Sequence, residues 1–194
     1  MIKQNIVNIT DNFITENEIS YIFSMMNKLT FKQSRVGFHE ISSTRTSSEV
    51  DVSNDEFIQK IAHKIAKHNN ISNNYELEAN IVRYKKGEYV LLHHDEVDLD
   101  ENGNLGDIYD DEEEYRVFSA IIFITEKIEG GELCFPMLNV KIKPKSKTLV
   151  TFPNTSQTLS GKIVAEPLTV HESTPIEKGE KVVLVLFFST KFKI

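Results

Sequence analysis

His93, Asp95 and His171 constrain the fold of this 194-residue chain more than any other feature, because all three can bind a metal and a strand fold can bring them together. The first two end the run Tyr84-Lys-Lys-Gly87-Glu-Tyr89-Val-Leu-Leu-His93-His-Asp95. In a strand, residues i and i+2 point to the same side, about 7 Å apart along the chain, so His93 and Asp95 can close on one ion. His171 is far downstream and must arrive on another strand of the same barrel. Two imidazoles and a carboxylate on one face of an Fe(II) ion form a facial triad, which leaves the other coordination positions open for a bidentate cosubstrate and O₂. Lys181, ten residues past His171, is a cation suited to holding the far carboxylate of a dicarboxylate bound at that metal.

The surrounding pattern agrees with such a fold. From Tyr75 onward, residues 75–84, 117–125, 132–135, 140–142, 148–152 and 181–189 are mostly rich in β-branched and aromatic side chains, and Gly, Pro or Asn punctuate them. Two helices are predicted before them. Thr15-Glu-Asn-Glu18 reads as a capping box, with Ile19, Ile22, Phe23 and Met26 following at helical spacing. Ser53-Asn-Asp-Glu56 reads as a second one, followed by Phe57, Ile58, Ile61, Ala62 and Ile65 on one face. His63 and His68 fall in this second helix and read as surface residues. The expected class is α+β: a double-stranded β-helix (jelly roll) of mainly antiparallel strands, with the N-terminal helices packed on the outside. Residues 1–194 are expected to form a single domain.

Four ordered segments resemble one known family, the 2-oxoglutarate- and Fe(II)-dependent prolyl 4-hydroxylases. They are Tyr84-x-x-Gly87 leading to His93-x-Asp95, and Arg116-Val-Phe-Ser119-Ala-Ile-Ile-Phe123 leading to Gly130-Gly131-Glu132-Leu133-Cys134-Phe135-Pro136. The third is Val140-Lys-Ile-Lys-Pro144 through Leu149-Val-Thr-Phe152, and the fourth is His171-Glu-Ser-Thr-Pro175-Ile-Glu-Lys-Gly179-Glu-Lys181. Arg45-Thr46-Ser47-Ser48 is a fainter echo, and together these span roughly residues 8 to 190.

The resemblance implies an enzyme of the procollagen-proline 4-dioxygenase type. It would hydroxylate a proline in a peptide or protein with O₂, and oxidatively decarboxylate 2-oxoglutarate to succinate and CO₂. It implies His93, Asp95 and His171 as Fe(II) ligands and catalytic centre, Lys181 and Tyr84 as 2-oxoglutarate-binding residues, and ascorbate as reductant. Arg116, Tyr89 and Phe187 are the expected substrate-binding residues. The chain departs from the family at three places. Leu133 stands where a threonine usually helps bind 2-oxoglutarate, Val90 stands where many members have a tyrosine (Tyr89 is adjacent), and Phe187 replaces a common tryptophan. Two alternatives remain open from the residues: a 2-oxoglutarate oxygenase acting on another side chain or a small molecule, and a non-catalytic metal-binding jelly-roll module. His94 and Glu96 form a rival His-x-Glu pair that only register separates from the first, and the resemblance, through the family's spacing from Tyr84, implies His93 and Asp95.

Net charge and composition limit the partners. At −7, with 40% hydrophobic and 26% charged residues, the chain lacks the positive surface of a nucleic-acid binder. It has no apolar run long enough to cross a membrane. The N-terminus lacks the apolar stretch of a signal peptide, and the expected location is cytoplasmic. Cys134 is the only cysteine, expected to be buried and inert. Residues 97–114 are strongly acidic and are expected to form a mobile lid beside the substrate. Asp98-Leu-Asp100-Glu-Asn102-Gly103 opens like an EF-hand loop, but Tyr109 stands at its twelfth position, where a glutamate is needed.

Overall fold

The structure, a computed structural model, describes residues 6–34, 44–72, 74–108 and 115–190. In chain order its elements are β1 (Asn8–Thr10), α1 (Glu16–Met26), β2 (Lys32–Gln33), β3 (Ser48–Asp51), α2 (Glu56–His68), β4 (Glu76–Tyr84), β5 (Val90–His93), β6 (Tyr115–Phe123), β7 (Glu129–Gly130) and β8 (Leu133–Phe135). There follow β9 (Val140–Ile142), β10 (Leu149–Pro153), β11 (Thr155–Gln157), β12 (Ile163–Ala165), β13 (His171–Ser173), β14 (Ile176–Lys178) and β15 (Lys181–Thr190). Short 3₁₀ turns occupy Pro136–Leu138 and Pro167–Thr169.

Helix α1 starts where the sequence predicts, whereas α2 starts later than expected, at Glu56 instead of directly after Ser53. The Thr15 box forms: Glu18 N–H donates to Thr15 Oγ1, and Thr15 N–H donates to Glu18 Oε2. At α2 the cap is Asp55, whose carboxylate accepts from Phe57 and Ile58 N–H, both at 3.0 Å. A charged acceptor next to the first turn outcompetes the more distant hydroxyl. Ser53 is used elsewhere, donating to Asp51 and accepting from Ala79 N–H of β4.

The larger sheet runs β1-β10-β6-β15-β4-β3-β2, and every pairing in it is antiparallel. Its central strand, β15, is buried on both faces, which accounts for the unbroken apolar run Val182–Phe188. Val182, Leu184, Leu186 and Phe188 meet Ile19, Ile22, Ile58, Ile61 and Ile65 of the helices, so the helices cover the outer face as expected. Val183 packs on the other side with Val82, Ile121, Phe123, Val150 and Phe152. That inner layer is closed by the smaller sheet, β5-β13-β8-β9, through Val90, Leu133, Phe135 and Ile142.

Phe188 is fully buried, its ring edge-on to Tyr75 at 4.9 Å. Phe188→Ala should therefore destabilise the chain by about 3–5 kcal/mol. Denaturant titration would show this as a lower midpoint at unchanged slope.

Over its described part the acidic segment carries apolar anchors among its charges. Val97, Leu105 and Ile108 pack against Tyr115, Val117, Ile163 and Ala165, an apolar cluster that anchors residues 97–108 beside the β11–β12 hairpin. Within it Asp100 organises a turn, accepting from Asn102 N–H, Asn104 N–H and the Asn104 side chain. Residues 109–114, including Tyr109, lie outside the described residues.

Candidate metal centre

The smaller sheet brings the distant histidine to the His-x-Asp pair. β5 ends on His93, β13 begins on His171, and the two residues are directly opposite in antiparallel register. Their rings are 4.3 Å apart, between centroids. Asp95 is not on the strand, as the i, i+2 argument required, but in the bend after it. His94 makes that bend: its buried ring accepts Glu96 N–H at 3.2 Å and Val97 N–H at 3.4 Å on Nδ1, curling the chain back. Asp95 Oδ1 then lies 3.4 Å from His93 Nε2 and 3.8 Å from His171 Nε2. All three donor atoms fall within 4.8 Å of one another. The rival pair does not converge, because His94 turns toward Thr169 and the Glu96 carboxylate accepts from Arg116 N–H.

Second contacts aim the donors. His93 Nδ1 is 2.9 Å from Leu91 O, and His171 Nδ1 is 2.9 Å from Thr169 O. A carbonyl can only accept, so each Nδ1 carries the proton and each Nε2 presents its lone pair. Phe135 and Phe152 flank the buried His171 ring. Burial, then the neighbouring His93, pulls His171 down to about 4. Burial alone would raise Asp95, but His171, His93 and the Ser119 hydroxyl outweigh it and hold the carboxyl well below the usual range. At neutral pH His171 is thus unprotonated and Asp95 ionised, the states in which both bind metals. The other carboxylate oxygen, Oδ2, accepts from Ser119 Oγ at 2.7 Å, and Ser119 Oγ accepts from Asn154 Nδ2 at 2.8 Å.

Lys181 opens β15 opposite Tyr84 and is only 3% exposed. Its Nζ donates to Gly131 O at 3.0 Å and to Ser173 Oγ, and stands 4.2 Å above the Tyr84 ring. Among the described residues no carboxylate forms an ion pair with it, and burial pulls it down to about 7. A buried ammonium bonded only to neutral oxygens is a costly arrangement that an incoming carboxylate relieves. Gly131 lies beside the lysine: at φ +71 it adopts a left-handed conformation, and a Cβ there would meet Ile176 Cδ1 at 2.3 Å and Lys181 Cδ at 3.4 Å. Leu133 is apolar, and Ser173 lies directly across from it on β13. Tyr84 packs its ring under the ammonium while its hydroxyl bonds Ser47, and burial pushes it up to about 12.

Of the three expected substrate residues, two are in contact and the third lies on a separate segment. Arg116 and Phe187 stand together, the guanidinium 4.4 Å over the ring. Arg116 also donates to Glu78 and, at 3.1 Å, to the Asp95 carbonyl, so it braces the bend that carries the carboxylate. Tyr89 precedes β5 and is half-buried, its backbone paired with Thr46. Cys134 is half-buried in β8, and burial pushes its thiol up. Among the residues that shape the site, Ser119 and Ser173 lie inside the family-like segments without a role of their own there, and Asn154 does not stand out in the sequence. The available signal was polarity at an inward position: Ser119 interrupts the apolar alternation of β6, facing the same layer as Ile121 and Phe123.

Residues 79–189 match the sequence profile described as the 2OG-Fe(II) oxygenase superfamily. The chain is similar to a protein named "Putative prolyl 4-hydroxylase" from Acanthamoeba polyphaga mimivirus, 25% identical over 182 residues, covering 93% of this chain and 72% of the relative. Its fold is shared with the viral collagen prolyl hydroxylase of Paramecium Bursaria Chlorella virus-1, solved as a 2OG complex. There the TM-score is 0.71 at 22% identity, over 96% of this chain and 97% of that one. It is also shared with a Trichoplax adhaerens prolyl hydroxylase bound to a hypoxia inducible factor peptide fragment (TM-score 0.68, 15% identity, 96% and 84% covered).

Proposed function

The chain belongs to the 2OG-Fe(II) oxygenase superfamily, and from that premise we propose that it is a prolyl 4-hydroxylase acting on a peptide or protein. The two facing antiparallel sheets are read as a double-stranded β-helix, with the reaction centre between them. The residues present fit the metal: two Nε2 lone pairs and one ionised carboxylate oxygen converge, and each imidazole is oriented by a backbone carbonyl. His93, Asp95 and His171 would hold Fe(II), which together with 2-oxoglutarate supplies the O₂ chemistry that inserts oxygen into a proline C4–H bond. Ascorbate is proposed as the reductant that maintains the ferrous state.

The chain's own part is binding, orientation and exclusion of water. Lys181 takes the far carboxylate of 2-oxoglutarate, with the Ser173 hydroxyl beside it in the position that Leu133 cannot serve. Tyr84 forms the wall under the ammonium. Phe187 and Arg116, together with Tyr89, are proposed to receive the peptide around the target proline. The observation that carries this reading is the buried, acid-free Lys181 on the same short β13 neighbourhood as the triad's His171.

The deciding experiment incubates the protein with Fe(II), 2-oxoglutarate, ascorbate and a panel of proline-rich peptides, following succinate and peptide mass. Succinate formation coupled to gain of one oxygen on proline is expected. Succinate without peptide oxidation would redirect the assignment to another substrate, and no succinate at all would refute catalysis.

The lysine also predicts a pH dependence. Lys181 must be protonated to hold a carboxylate, and in the free protein it is so only below about pH 7. Raising the pH from about 7 to 8 should weaken 2-oxoglutarate binding by up to about tenfold, with proton uptake on binding. Titration calorimetry in buffers of different ionisation enthalpy would measure both, and a flat profile with no proton uptake would contradict this.

A further inference from the structure

We propose that Ser119 and Asn154 are positioning residues that restrict Asp95 to one-oxygen coordination and so keep the rest of the metal's coordination sphere open. This rests on the assignment of His93, Asp95 and His171 as ligands. The two Asp95 oxygens have different surroundings. Oδ1 faces both Nε2 atoms, while Oδ2 accepts the Ser119 hydroxyl at 2.7 Å. Ser119 has one hydroxyl hydrogen and two acceptors within reach, Asp95 Oδ2 and, at 3.2 Å, Asn154 Oδ1. The shorter, charge-assisted bond takes it. Asn154 Nδ2 then donates back to Ser119 Oγ at 2.8 Å, which fixes the direction of the relay from amide to hydroxyl to carboxylate.

Both residues are completely buried, so no water competes for these bonds. The Ser119 bond fixes the rotation of the carboxylate with Oδ1 toward the two Nε2 atoms and takes up one acceptor site of Oδ2, which disfavours a chelating pose. A bidentate aspartate would fill a position that the bidentate cosubstrate or O₂ needs. Asn154 is also tied to the other ligand arm. Its carbonyl accepts Glu166 N–H at 2.9 Å, Glu166 O accepts from Thr169, and Thr169 O receives the His171 Nδ1 proton. One residue therefore sets the carboxylate through its side chain and the histidine through its backbone.

Asn154→Asp is the sharpest test, because it keeps the shape and reverses the relay. An aspartate cannot donate to Ser119 and would draw the hydroxyl toward itself, releasing Asp95 Oδ2. Ser119→Ala removes the donor outright. Co(II), used alone as the probe, reports affinity by titration and coordination number by its visible absorption, both without turnover. Each variant should bind Co(II) about 10- to 100-fold more weakly. The bound ion's absorption should change intensity relative to the parent protein, and 2-oxoglutarate should perturb that spectrum less. Asn154→Asp and Ser119→Ala proteins that melt like the parent and match it in Co(II) affinity and spectrum would overturn the proposal. A His171→Ala protein that still bound Co(II) like the parent would instead overturn the ligand assignment itself, so the two failures are distinguishable.

Discussion

His171→Ala should abolish both metal binding and turnover. His171 supplies one of three protein donors, and it is the ligand held most firmly, buried between Phe135 and Phe152 with its Nδ1 bound to Thr169 O. With two donors left, His93 at the end of β5 and Asp95 in the bend after it are only two residues apart and cannot define a face of an ion. Metal binding to the folded state also stabilises it, by about 2.7 kcal/mol when free metal is a hundredfold above its Kd. The parent protein should therefore melt higher with metal and lower with a chelator, and His171→Ala should show no difference between the two. Asp95→Ala and His93→Ala should behave alike. His94→Ala is the internal control: it loosens the bend but removes no donor, so a metal-dependent melting shift should persist. Loss of that shift in His94→Ala, with its retention in His93→Ala, would mean that the register of the pair is wrong by one residue.

Lys181→Ala should raise the 2-oxoglutarate requirement about 10- to 150-fold, with metal affinity unchanged. The range follows from the roughly 1.5–3 kcal/mol of a hydrogen bond to a charged group. Lys181 is the ammonium that meets Ser173 and the Gly131 carbonyl. The same residue is a burden to the empty protein, because its charge is buried without a counter-ion. Lys181→Met, of similar volume and no charge, should accordingly melt at or above the parent temperature in the absence of cosubstrate. Equal 2-oxoglutarate affinity in parent and variant would place the carboxylate elsewhere.

Much of this architecture is readable in the sequence where a residue's job is set by periodicity or charge. The helices over Ile19–Met26 and Phe57–Ile65 and the central strand from Lys181 follow from patterns that local chemistry enforces. So do the three proposed ligands, which the structure brings together, because few residue types bind metal and their spacing is restrictive. What escaped is set by tertiary placement. Asp55 displaces Ser53 as the α2 cap because Ser53 is drawn to Ala79, a contact no local pattern announces. Asp95 reaches His93 through a bend pinned by His94, not through strand alternation. The acidic stretch is held at Val97, Leu105 and Ile108 by Ile163 and Ala165 of a hairpin that begins much later in the chain. Ser119 and Asn154 are ordinary polar residues until the pairing of β6 with β10 sets them side by side under Asp95.

The three-residue strand β13 leaves little freedom for re-engineering this protein. It carries His171 at one end and Ser173 at the other, with a bulge between them. Inserting or deleting a single residue there would reverse the facing of one end relative to the other, and metal and cosubstrate contacts would be lost together. Evolutionary drift or directed change of cosubstrate preference is therefore confined to side-chain swaps at positions such as Ser173 and Leu133. Changes in chain length are tolerable only outside this strand, in segments that touch neither end of it.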